Sequence, residues 1–99
     1  MAPMTFETFK STLADPEPPG GLSPVVQALW HEAKGDWLEA HRLAQSQDDA
    51  DGAWVHAYLH RVEGDLANAG YWYRRAGKPA SQAPLRDEWA TIVKALLAV

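Results

Sequence analysis

HAYLHRVEGDLANAGYWYRRAGKP, residues His56–Pro79, is the stretch that decides the fold. Val55, Tyr58, Leu59 and Val62 before Gly64-Asp65, and Leu66, Ala69, Gly70, Tyr73 and Ala76 after it, recur at helical spacing. Gly64 suits the left-handed residue that ends a helix, and Asp65 suits the cap that starts the next. Arg74 and Arg75 fall in the last turn, where positive charge complements the helix dipole. Gly77-Lys78-Pro79 then stops the helix. The stretch predicts a helix, a two-residue turn and a second helix.

A fainter copy lies upstream, ALWHEAKGDWLEAHRLA, from Ala28 to Ala44. Gly35 falls on Gly64, Asp36 on Asp65, Ala40 on Ala69, Ala28 on Ala57 and His31 on His60, a register of 29 residues. Stacked helical pairs of short period are how a solenoid is written in sequence. The second copy resembles a tetratricopeptide or Sel1-like repeat. Ala53-Trp54 opens the first helix, Gly64-Asp65 is the turn, Ala69, Tyr73 and Ala76 match the small-aromatic-small spacing, and Pro79 stands near the closing proline. YWYRRA is the most Sel1-like run. Ala57 or Tyr58 replaces the usual Leu-Gly pair, and Ala44 stands where the first copy should carry an aromatic. The resemblance covers about half the chain and implies stacked antiparallel hairpins that bind a protein or peptide partner. The whole chain is also similar to small bacterial proteins that share a HAYLHR-x-EGD…YWYRRA stretch, a likeness that brings no activity with it.

Outward from the repeats, Thr5–Ala14 predicts a short helix with Phe6, Phe9 and Leu13 on one stripe. DPEPPGG, Asp15–Gly21, ends it. Ser23-Pro24 opens the next helix as N-cap and first residue. Its inward face is Val26, Leu29, Trp30 and Ala33, and Trp37, Ala40, His41 and Ala44 line the helix after Gly35-Asp36. QSQDDADG, Gln45–Gly52, has the look of a calcium loop, but positions 1 and 12 would be Gln47 and Tyr58, so helix capping is the reading. Leu85, Trp89, Ile92, Val93 and Leu96 mark a C-terminal helix from about Pro84 to Ala98, with the stripe to close the end of a stack. The expected fold is all-α and single-domain: a short N-terminal helix with its linker (1–22), two stacked antiparallel hairpins (23–47 and 51–79) and a capping helix (84–98).

Composition narrows the function. Of 99 residues, none is Cys, so disulfides, thiol catalysis and Cys-based zinc sites are out. The formal charge of −4 argues against a nucleic-acid backbone binder. MAPMTFETFK has no basic and apolar leader pattern, and no apolar run is long enough to span a membrane. A cytoplasmic location is expected. No HExxH, Gly-x-Ser-x-Gly or phosphate-cradling loop occurs, so no enzyme class is indicated.

Two readings of function remain. In the first, Tyr71, Trp72, Arg74 and Arg75 form an aromatic-arginine docking surface, with a groove between hairpins or a second copy of the chain as further routes to a partner. The competing reading buries Trp72 because the helix of Ala67, Ala69 and Gly70 is central. In the second, the four histidines bind a metal such as zinc or a small ligand, in a binding protein or an enzyme. His56 and His60 share a helix face at i, i+4, Glu63 extends that face, and His31 and His41 lie near the other turn. Helix geometry allows His31, His41 and His60 to cluster with an Asp or Glu; the competing reading has the histidines bordering the helix interface and hydrogen-bonding to acids, tyrosines or carbonyls. Asp36 and Asp65 are read as caps.

Overall fold

The computed structural model describes residues 4–97, and Ala98 of the expected C-terminal helix lies outside that range. Within it the chain is all-helical: α1 (Phe6–Ser11) followed by a 3-10 turn (Thr12–Ala14), α2 (Pro24–Ala33), α3 (Trp37–Gln45), α4 (Ala50–Val62), α5 (Leu66–Ala76) and α6 (Leu85–Leu97). None of these helices is long and apolar enough to cross a membrane.

The two Gly-Asp turns are built alike, bond for bond. Asp36 N–H donates to the His31 carbonyl and Asp65 N–H to the His60 carbonyl, both at 2.9 Å. Gly35 (φ 89°) and Gly64 (φ 88°) take the left-handed conformation that lets these bonds form. Asp36 then caps α3 by accepting from Glu39 N–H at 3.2 Å, and Asp65 caps α5 by accepting from Asn68 N–H at 3.1 Å. Replacing either aspartate with alanine should cost about 1 kcal/mol in a urea titration. Ser23 stands at the start of α2, but its hydroxyl makes no capping bond there.

Helix α4 begins three residues earlier than its sequence pattern predicts. Asp49 is its cap, accepting from Gly52 N–H at 2.8 Å. Gly52 is needed for space: a Cβ there would come within 1.8 Å of the Gln47 carbonyl oxygen. The early start lets the polar loop turn tightly onto the helix.

The main correction concerns which helix is central. Helix α4 packs against α2, α3, α5 and α6, and eight of its thirteen residues are buried, including His56 and His60. Helix α5 packs principally on α4 and runs along the edge. Ala67 is exposed, and Leu66, expected to face inward, is 68% exposed. The alternation of small residues in α5 therefore serves one interface, with α4, where Ala69 and Tyr73 meet Ala57.

Helix α6 lies on α2, α4 and α1. Trp89 is its anchor, with the ring beside Phe6 and Phe9 and Nε1–H donating to the Leu29 carbonyl at 2.9 Å. Two polar clasps fasten the helix. Arg86 donates to both carboxylate oxygens of Glu32 and to Tyr58 Oη, and Tyr58 donates to Glu32. The buried Glu88 accepts from Arg61 at 2.8 Å and from Tyr73 Oη. Burial, with the adjoining carboxylate, raises both tyrosine pKa values, so both phenols stay protonated as donors.

Candidate functional site

Three histidines converge between α3, α4 and α5. His56 and His60 are one turn apart on α4, and His41 faces them from α3. The nearest ligand atoms of the three all lie within 4.8 Å of one another. His41 Nε2 and His56 Nε2 are 3.0 Å apart, sharing one N–H···N hydrogen bond. The rings of His56 and His60 stack at 4.8 Å, and His41 stands edge-on to His56 at 4.6 Å.

Two tryptophans and a carboxylate hold these rings. Trp37 stacks on His41 at 4.9 Å and also donates Nε1–H to the Leu59 carbonyl at 2.8 Å. Trp72 stacks on His56 at 3.9 Å, with an interplanar angle of 14°. Glu63 Oε1 lies 2.6 Å from His60 Nδ1, so Nδ1 donates to the carboxylate and Nε2 is the nitrogen left with a free lone pair. His56 is 4% exposed and His60 7%, whereas His41 is half-buried.

His31, a candidate member of the cluster in sequence, stands apart beside Trp30 with ring centroids at 5.1 Å. The 29-residue register explains why. His56 and His60 sit on the face of α4 that meets α3. The matching positions of α2 are Gln27 and His31, and what precedes α2 is the proline-glycine connector, to whose Leu22 carbonyl Gln27 donates at 2.8 Å. His31 therefore has no α3-like helix to meet. His56, already paired with His60 by i, i+4 spacing, takes its place.

The electrostatics favour the neutral form of His56 and of His41. Burial, then the imidazoles of His41 and His60, push His56 down to about 4. Burial and His60 also lower His41, against a smaller opposing pull from Glu63. Unfolded histidine takes up its proton near pH 6.5, whereas folded His56 resists to about 4. Metal-free protein should therefore hold full stability above about pH 6.5 and lose it as pH falls toward 4, His56 accounting for at most about 3 kcal/mol. Urea unfolding at about pH 7 and about pH 4.5, on wild type and His56→Gln, checks this. A wild-type loss no larger than the variant's would contradict it.

The proposed docking residues do not form one flat surface. Trp72 is half-buried against His56. Tyr71 is 44% exposed, Arg74 is exposed, and Arg75 donates to Tyr71 Oη at 3.1 Å with its guanidinium 5.0 Å from the Trp72 ring. Beside them opens a cavity of about 320 Å³, lined by Gln47, Asp48, Asp49, His56, Trp72 and Arg75 among others. Trp37 and His41 are readable in sequence as an i, i+4 pair on one face of α3. That Trp72 of α5 lies against His56 of α4 was not readable, because only helix packing brings the two together.

Comparison of the chain with protein-family models, with curated proteins and with solved structures finds no match.

Proposed function

We propose that this protein binds one divalent transition-metal ion, zinc being the best fit, through His41, His56 and His60. The observation that carries the reading is the convergence of three imidazoles within 4.8 Å in a largely buried site. An ion held tetrahedrally at about 2.0–2.1 Å sets its nitrogens about 3.4 Å apart. The His41–His56 pair is already at 3.0 Å. The third nitrogen, within 4.8 Å of the others, has to move closer by side-chain adjustment. The Nε2–H proton between His41 and His56 moves to that ring's Nδ1 as the ion displaces the hydrogen bond. Glu63 on His60 Nδ1 is the carboxylate–histidine arrangement that orients a metal-ligating imidazole and raises its basicity.

Calorimetric titration tests this. Zinc and nickel should bind at one equivalent, and manganese, which prefers oxygen donors, far more weakly. His60→Ala should abolish binding, and Glu63→Gln should weaken it about 10- to 100-fold. No heat with any of the three metals would end the proposal.

A second reading has its own observation. Helix α5 lies at the edge, with Leu66, Tyr71 and Arg74 directed outward, and Leu38 on α3 is 78% exposed. A stacked pair of tetratricopeptide- or Sel1-like hairpins, which the packing of α2 on α3, α3 on α4 and α4 on α5 supports, would offer such an edge to a protein partner or a second copy. The face of α2 and α4 carries α6. Sedimentation at several concentrations, on wild type and Tyr71→Ala, separates a dimer from a monomer. Cytoplasmic residence belongs to this same reading.

A further inference from the structure

We propose that an ion held by His41, His56 and His60 keeps an exchangeable coordination position, and that its ligand there is a small anion such as a carboxylate or another oxyanion. This rests on the metal reading above and concerns what that ion then does.

The donor set is the first argument. The cluster closes at three imidazoles. Closed structural zinc sites take four protein ligands, whereas three leave a position for water or substrate. Glu63 and Asp65 group with His60 alone among the three. Glu63 is committed to Nδ1 of that ring. A carboxylate bound at Nδ1 lies across the imidazole from an ion at Nε2, so it orients the ligand without becoming one.

Charge is the second argument. Three neutral imidazoles leave the ion its full double charge. An anion entering the remaining position is drawn by that charge in a site walled by the rings of Trp37 and Trp72.

Access is the third. His60 is sealed by packing, but His41 is half-buried, and His56, 4% exposed, fronts the cavity beside Trp72. A small solute therefore reaches the triad past His41 without unfolding any helix. The tryptophan stacks fix the ring planes of His41 and His56 while it does so. A water bound in that position would ionise near pH 7.

Cobalt(II) reads both levels separately. Cobalt uptake should produce visible d–d bands at one equivalent, and azide should then shift them saturably. The bands should also shift with pH around 7 as bound water ionises. Glu63→Gln at saturating cobalt should keep the azide response despite its weaker cobalt affinity. If cobalt binds wild type but azide and pH leave its bands unmoved, the position is closed and the inference is overturned. Azide sensitivity that appears only in Glu63→Gln would make Glu63 the fourth ligand and also overturn it. Absence of any cobalt band removes the metal reading itself.

Discussion

Trp89→Ala should remove about 3–5 kcal/mol of folding stability, measured as the shift in urea unfolding. Trp89 is nearly fully buried, touches Phe6 and Phe9, and donates to the Leu29 carbonyl across 60 residues of sequence. Truncation leaves a ring-sized cavity between α1, α2 and α6 and an unpaired carbonyl, and both act in the same direction. A domain of this size has about 5–15 kcal/mol in total, so much of its margin is lost. The same change at half-buried Trp72 should cost less. A loss below about 1 kcal/mol at Trp89 would mean that α6 does not close the core as described.

Zinc should stabilise the fold by an amount set by mass action. At free zinc one hundred times the Kd the gain is about 2.7 kcal/mol. In a domain of this length that is a rise in Tm on the order of 10–20 °C. His56→Ala should abolish the rise whatever its own baseline stability. Protons compete with metal for imidazole nitrogen. Because His56 and His41 are held below the ordinary histidine range, protons compete less for these two ligands than for an ordinary histidine. A Tm that ignores zinc in wild type, or rises equally in His56→Ala, would place the ion elsewhere.

Much of the fold was legible in the residues. Gly35-Asp36 and Gly64-Asp65 mark both turns because a left-handed glycine followed by a capping aspartate has few other uses. The phenylalanine stripe of α1 and the apolar stripe of α6 were equally plain. The centrality of α4 was not. Two histidines on its buried surface make the helix look amphipathic, and only the neighbours α3 and α5 turn that polar edge inward. The seat of α6 was hidden for a similar reason. Its contacts with α2 and α4 depend on Glu32–Arg86 and Arg61–Glu88 pairs that look like ordinary surface charges in sequence. In the site, the i, i+4 spacing of His56 and His60 and the nearby Glu63 were readable. Which third histidine joined them depended on the packing order of the helices. That order selects His41 and leaves His31 beside Trp30.

The central claim is that three imidazoles share one ion, and zinc-edge X-ray absorption on zinc-loaded protein tests it most directly. The first shell should hold nitrogen or oxygen scatterers at about 2.0–2.1 Å, with multiple scattering that fits three imidazole rings. His41→Ala should not yield this three-imidazole shell. A shell of oxygen donors with one imidazole or none would contradict the account.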